Sequence, residues 1–421
     1  ECRINDVWES AQLLASTGSI VDWYSGYLLQ YPNNTLLTVF FAAIIYINQK
    51  IGIFSLNNVI YLVIVLQCII SSIVCFLTYK IVSELKSKNW GFASWILYVM
   101  LLGFSPWLVI PYSDSVGLFF PTVVLYLYMI IEKKNNHKWI INFLIMFISY
   151  IGYKIKPQTF VLFIAIVIVS VITFILNIKN ANYKLVFRNT IVPMFAGLIL
   201  GFIMVSFAYK STDINFNKDR QVGMTHYLML GLNNETDGVY SASDVAYSMQ
   251  FDTYDERCKG NLSMIKKRLK EYGASGLALH LVKKTLVNFS DGTYSWGAEG
   301  EFYSETYADI NSVVAPYLKS LVYNDGSRFH ISSSIYQMIW IGILISMLGC
   351  SIGRKKEKID VITVMMLGII GITAFVMLFE ARARYLYTFV PLYIMLAVLS
   401  FSNISRRYMK LCQYFRNNKL D

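Results

Sequence analysis

The chain has 421 residues, of which 56% are hydrophobic and 15% charged, against about 25% charged in an average soluble domain. That balance excludes a soluble globular protein, and repeated apolar runs near the roughly 20 residues of a spanning helix predict an all-α polytopic membrane protein. A net charge of +11 would suggest nucleic acid in a soluble chain, but here the cations concentrate in short loops, so no nucleic-acid partner is expected.

Residues 1–32 are polar and aromatic, without a spanning run. Asp6 is placed to cap a short helix reaching about Ala15, and Gly18 to end it. Trp23, Tyr24, Tyr27 and Tyr31 suit a membrane–water interface. Residues 34–48 are apolar but short for a crossing. Nine further apolar runs follow, at 59–79, 92–110, 116–131, 139–151, 160–176, 191–208, 331–348, 361–379 and 386–401. Between them, residues 211–330 are too many for an ordinary connection and predict a domain or functional loop. It contains helix-like stretches at 263–272 and 275–287 and a Gly- and aromatic-rich turn at 288–297. The six cysteines show neither disulfide nor zinc spacing, and no nucleotide-binding or HExxH motif occurs. No metal and no cofactor are expected.

Eighteen of the 37 Lys and Arg lie in five tracts, 80–88, 132–138, 179–188, 354–358 and 406–419. Short basic loops mark the cytoplasmic side. Segment 211–330 instead carries 12 basic and 15 acidic residues, which fits the outer side. The alternation then works with nine spans and with residues 34–48 lying along the outer interface, or dipping in and returning. A full crossing there would move residues 1–32 to the cytoplasm and make ten spans. The expected organisation is an outer loop with juxtamembrane helices (1–58), a transmembrane core (59–210), an extracytoplasmic domain (211–330), further transmembrane helices (331–404) and a cytoplasmic basic tail (405–421).

On this topology the outer boundary collects Asp6, Glu9, Asp114, Lys154, Lys156, Glu380, Arg382 and Arg384. Lys154-Ile155-Lys156 and Arg382-Ala383-Arg384 each place two cations at i, i+2 beside a helix end, on the side where positive charge is normally depleted. Helix anchoring by snorkelling is one reading; a clamp for an anionic headgroup is the other, with arginines forking onto phosphate oxygens. Asp6 and Asp114 can be helix caps, or one can be a general base that deprotonates an acceptor hydroxyl as it attacks a sugar carbon bearing a phosphate leaving group. His226 can hydrogen-bond sugar or phosphate, or only loop backbone. The run 294–301 can present Trp296 as a sugar platform or bury it in the loop.

The order of five short motifs carries a resemblance. They are Asn5-Asp6-Val7-Trp8-Glu9, Tyr31-Pro32-Asn33-Asn34, Pro111-Tyr112-Ser113-Asp114, His226-Tyr227-Leu228-Met229-Leu230-Gly231 followed by Gly238-Val239-Tyr240, and Glu380-Ala381-Arg382-Ala383-Arg384-Tyr385. In them the chain resembles the bacterial multi-spanning C-type membrane glycosyltransferases that use polyprenyl-phosphate sugars, relatives of protein O-mannosyltransferases and lipid A aminoarabinose transferases. The resemblance implies a C-type glycosyltransferase-like helical bundle with an extracytoplasmic domain and an active site on the outer face of the cell membrane. It implies Asp6 and Asp114 as catalytic carboxylates, and a substrate-binding set of Glu9, Lys154, Lys156, His226, Glu380, Arg382, Arg384 and Tyr385. It also implies a spanning helix ahead of Glu1. Val7 stands where protein O-mannosyltransferases carry Glu, which turns the expected acceptor from protein to a glycan or teichoic-acid-like polymer. The partners implied are a polyprenyl-phosphate-linked sugar, that acceptor and membrane lipids. The competing readings are a flippase or polymerase of lipid-linked glycans, and a non-enzymatic membrane partner protein.

Overall fold

The computed structural model describes residues 4–55, 58–133, 137–180, 182–300, 313–351 and 359–417. The basic tract at 354–358 and Glu301 lie outside the described residues. Among those described, the chain is all helix and turn, without a strand. Nine helices are long and apolar enough to cross a membrane: Pro32–Ile51, Ile60–Leu85, Ser113–Lys133, Lys138–Ile155, Pro157–Leu176, Lys184–Lys210, Phe329–Met347, Val361–Leu378 and Ala383–Ser405. The protein is therefore a polytopic all-α integral membrane protein.

The N-terminal part holds α1 (Ile4–Thr17), α2 (Asp22–Gln30) and α3 (Thr35–Ile51). Asp6 lies in the first turn of α1 rather than before it, so it does not stand at the expected capping position. Gly18 follows the helix with φ +78°, as expected of a helix-ending glycine. Then α4 (Ile60–Leu85) and α5 (Lys88–Tyr98) form an antiparallel pair. The expected single run 92–110 is broken. After α5 the backbone widens into a π turn at Val99–Gly103, and a 3-10 turn restarts at Pro106–Val109. Pro106 lacks an N–H and pushes Ser105 into extended backbone (ψ 128°), which stops the helix. The amide of Gln67 donates to the freed carbonyls of Leu108 (2.7 Å) and Ile110 (3.0 Å). The count of nine is thus reached by a different set, with Pro32–Ile51 in and 92–110 out.

Next come α6 (Ser113–Gly117), α7 (Phe119–Lys133), α8 (Lys138–Ile155), α9 (Val161–Leu176), the short α10 (Tyr183–Val186) and α11 (Val192–Lys210). Helix α11 packs along α8, and both meet α3. Residues 211–328 hold α12 (Met224–Gly231), α13 (Ala242–Met249), α14 (Tyr254–Phe289), α15 (Trp296–Glu299) and α16 (Val314–Val322). The two expected stretches at 263–272 and 275–287 are the halves of α14, kinked at Gly273. Finally α17 (Phe329–Met347), α18 (Val361–Leu378) and α19 (Val390–Asn417) complete the bundle.

Helix α19 is the axis of the main core. Residues 390–399 are almost wholly buried, and α19 packs against α4, α5, α17 and α18. A smaller core joins α1 and α3 to the start of α4 and the ends of α7, α8 and α11 through Val7, Phe41, Val63, Phe120, Ile155 and Val205. Outward faces of α9 and α11 keep large apolar side chains exposed, such as Ile172, Ile175, Phe195 and Phe207, as helices facing lipid do.

The two ends of the bundle differ. At one end Lys133 pairs with Glu84 (3.1 Å) and Lys86 donates to Asn403 (3.1 Å), which brings the ends of α4 and α7 and the middle of α19 together with two basic tracts. At the other end lie Tyr112, Lys156, Tyr209 and Glu380. The segment expected as an extracytoplasmic domain is bonded directly to this second end. Buried Lys284 on α14 donates to Gly231 O (2.9 Å), Met377 O (2.8 Å) and Phe379 O (2.7 Å), closing the last turns of α12 and α18. Burial pushes the Lys284 ammonium down to about 8, and its three protons meet three carbonyls. The indole of Trp107 donates to Thr293 O (3.1 Å), and Trp340 to Phe289 O (2.9 Å).

Candidate functional site

A cavity of about 1140 Å³ opens at this second end, between α2, α8, α12 and the segment joining α18 to α19. That joining segment starts in extended backbone at Arg382 (φ −160°, ψ 112°) and becomes a 3-10 turn over Ala383–Phe389. It is held at its start by Ala381 N–H to Gly238 O (2.7 Å) and Arg382 N–H to Asn288 Oδ1 (2.8 Å). Immediately after it the chain enters the buried axis α19. The two arginines therefore stand on a segment held by hydrogen bonds at its start and by the buried axis at its end.

Six charged side chains form one row across the cavity wall. Lys156 pairs with Asp114. Asp114 Oδ2 lies 3.5 Å from Arg384 Nε. Arg384 Nη1 lies 3.0 Å from Glu299 Oε2, and the other oxygen of Glu299 lies 3.0 Å from Arg382 Nε. Arg382 reaches Glu380 at 3.7 Å, and Glu380 accepts a 2.7 Å hydrogen bond from the Tyr385 hydroxyl. Arg384 also lies over the rings of Trp107 (5.1 Å) and Tyr112 (5.4 Å), which supply cation–π attraction in a dry setting. Close approach is built in: a Cβ at Gly117 would come within 2.6 Å of Thr388 and 3.3 Å of Lys156, so glycine lets the Asp114 turn press onto the arginine segment.

The sequence-expected residues are thus brought together in part. Lys156, Glu380, Arg382, Arg384 and Tyr385 share the row and line the cavity. Asp114 belongs to the row but is only 1% exposed and lies behind the wall; its carboxylate meets Lys156 and Arg384, so it makes no helix cap. Lys154 lines the cavity with its ammonium 5.6 Å from the centres of both the Tyr150 and Tyr153 rings. His226 also lines the cavity. The Ser248 hydroxyl donates to Asn261 Oδ1 (2.9 Å), so its oxygen accepts from His226 Nδ1–H (2.7 Å) and Nε2 is the unprotonated nitrogen. Burial lowers the His226 pKa to about 4, which keeps the ring neutral.

Asp6 is half-buried next to cavity-lining Asn5 and stands apart from the row. Tyr27 and Tyr112, linked by a hydrogen bond between their hydroxyls, lie between them, and Asn34 Nδ2 donates to the Tyr27 hydroxyl (2.6 Å). Glu9 lies outside the cavity wall, where its carboxylate accepts from Tyr24 (2.6 Å). Trp296 is no sugar platform here: it is buried edge-on against Trp107 (5.1 Å) and donates to Val322 O (2.7 Å). The residue that sequence reasoning missed is Glu299. It sits three positions after Trp296, in the same run, and its signal was only a carboxylate near aromatic turns.

The rest of the wall is aromatic. Nine of the described lining residues are tyrosines, which offer a hydroxyl and a ring face together. On one side Phe375, Phe379 and Pro157 make the wall apolar where α18 passes α9. Among the described residues no group of three His, Cys, Asp or Glu has the arrangement of a metal site.

The profile of a family described as conserved hypothetical integral membrane protein matches residues 12–405, nearly the whole chain. The chain belongs to that family. The charge row, all nine candidate spans and every described cavity-lining residue except Asn5 lie inside the matched region. No protein of curated function matches the chain.

Proposed function

We propose that this protein transfers a sugar, with inversion, from a polyprenyl-phosphate donor to a glycan or polymer acceptor at the outer face of the membrane. The observation that carries the reading is the row of Lys156, Arg384 and Arg382 in the wall of a large tyrosine-lined cavity at one end of the bundle. Such cations suit a lipid-linked phosphate, whose developing charge they would stabilise as the sugar departs. The apolar side at Phe375, Phe379 and Pro157 suits a prenyl chain reaching the cavity from the bilayer. The tyrosines and neutral His226 suit sugar hydroxyls.

The chemistry needs one base and a leaving group. Asp6 takes the proton of the acceptor hydroxyl, that oxygen bonds to the anomeric carbon, and the carbon–oxygen bond to phosphate breaks. The lipid phosphate leaves with the bonding electron pair. On this reading Asp114, expected beside Asp6 as a catalytic carboxylate, orients Lys156 and Arg384 through its contacts with both. Its direct contact with both cations favours a built site over a surface that merely presents loops to a partner protein. Charge gathered at the two ends of the bundle, with few charged groups along the spans, favours transfer over lipid-glycan flipping, which needs polar groups along the bilayer.

The test is turnover by the purified protein with a panel of polyprenyl-phosphate sugars. The expected result is sugar release by wild type, a loss of at least about 100-fold in kcat for Asp6→Asn, and a comparable loss in kcat/KM for Arg384→Ala. Full activity in Asp6→Asn would remove Asp6 as the base. Full activity in Arg384→Ala would remove the phosphate clamp.

A further inference from the structure

The charge row sums to zero, because Lys156, Arg384 and Arg382 alternate with Asp114, Glu299 and Glu380. A row without excess positive charge attracts a phosphate weakly, so a phosphate gains a strong seat only if one carboxylate leaves. The three are not alike. The Asp114 side chain is 2% exposed and held by two cations. The Glu380 side chain is 5% exposed and is fixed by the Tyr385 hydroxyl as well as Arg382. The Glu299 side chain is 20% exposed, faces the cavity from the four-residue α15, and bonds the two arginines. Its oxygens span the two guanidiniums at 3.0 Å each, the way two oxygens of one phosphate would.

Resting on the phosphate-clamp reading above, we propose that Glu299 is an exchangeable counter-ion: it occupies the seat of the donor phosphate between Arg382 and Arg384, and phosphate binding displaces it. In the empty site the carboxylate keeps both guanidiniums paired and aimed at one point, so the seat is preformed. When a phosphate enters, Glu299 swings to the open cavity and the row acquires the single excess positive charge that an anion needs. After transfer, the same carboxylate competes with the lipid monophosphate and promotes its release.

The experiment is equilibrium dialysis of the full chain in detergent against labelled farnesyl phosphate, with farnesol and inorganic phosphate as parallel arms. Wild type, Glu299→Gln, Glu299→Ala and Arg384→Gln are compared after each is shown to be monodisperse. Farnesyl phosphate is expected to bind both Glu299 variants at least about tenfold more tightly than wild type, since a charge at contact distance is removed. It is expected to bind Arg384→Gln more weakly, and farnesol is expected not to distinguish the four. Structural damage would weaken binding, so tightening in both Glu299 variants isolates the exchange. Equal or weaker binding in those variants, with Arg384→Gln still impaired, would overturn the exchange while leaving the clamp. No difference between wild type and Arg384→Gln would overturn the clamp and the exchange together. Equal tightening for inorganic phosphate without farnesyl phosphate binding would keep the exchange and assign the seat to free phosphate.

Discussion

His226 stays neutral because the cavity wall denies its imidazolium solvent, and this gives the fold a signed pH dependence. Its pKa is lowered from 6.5 to about 4 in the folded chain, so the unfolded chain binds the extra proton first as pH falls. The stability that depends on its neutrality is complete above pH 6.5, declines between 6.5 and 4, and is absent below 4. Between pH 7 and pH 5 wild type should lose about 2 kcal/mol more than His226→Asn, read as the difference in thermal unfolding in detergent. Identical acid slopes would show that His226 is not the sensor. Lys284 provides a second residue-scale test. Lys284→Met strips the partner from three carbonyls at the ends of α12 and α18, at a cost of about 3 kcal/mol or more, and should lower the melting temperature and the activity together. The sequence offered no hint of this, since Lys284 sits in a run of ordinary helical lysines and only the fold shows what its ammonium meets. Arg382 and Arg384 were legible because arginines flanked by apolar runs are costly anywhere but a site. Glu299 was not, because its meaning comes from two guanidiniums some 80 positions away in the chain.

Among the elements, α3 decides the topology of the N-terminal part. It is apolar and long enough to span, yet the carbonyl of Pro32 at its start accepts from Tyr209 at the end of α11 (2.7 Å). Its other end turns at Gly52 (φ +75°), where Asn48 bonds both Phe54 O and Phe54 N–H, and α4 starts at Ile60. Tyr209 lies at the cavity end, and α4 reaches the level of Leu108 and Ile110 seven residues after its start. A short, folded connection between two points near one end fits a helix lying along the boundary. In a chain whose native cysteines are replaced by serine, Lys50→Cys should react with an impermeant thiol reagent added on the side of the cavity. Protection there, with labelling from the opposite side, would show that α3 crosses. Long apolar runs such as 59–79 and 361–379 were readable from composition because lipid imposes length and hydropathy directly. The break at Gly103–Pro106 was less readable, because a π turn and Gln67 repair the backbone without changing the apolar character of the run.

At the scale of the whole molecule, two basic tracts meet at one end and the cavity lies at the other, while α19 runs between them as a buried axis. The all-α, polytopic architecture followed from the sequence because the bilayer demands it, while among the described residues the candidate spans differ from the expected set at 32–51 and 92–110. The site did not follow as fully: Asp6 and Glu9 were grouped with the cations by topology alone, whereas Tyr27 and Tyr112 separate Asp6 from the row and Glu9 faces away. The cavity wall holds the cationic row and an apolar flank at Phe375, Phe379 and Pro157, and the proposed inverting transfer would draw its base from Asp6, next to cavity-lining Asn5. The most direct test is the anomeric configuration of the product, read by NMR, after the purified protein is given a polyprenyl-phosphate sugar and an acceptor glycan. The account predicts sugar transfer with the configuration at the anomeric carbon opposite to that of the donor. Retained configuration, or no transfer from any donor by folded protein that binds the lipid phosphate, would contradict it.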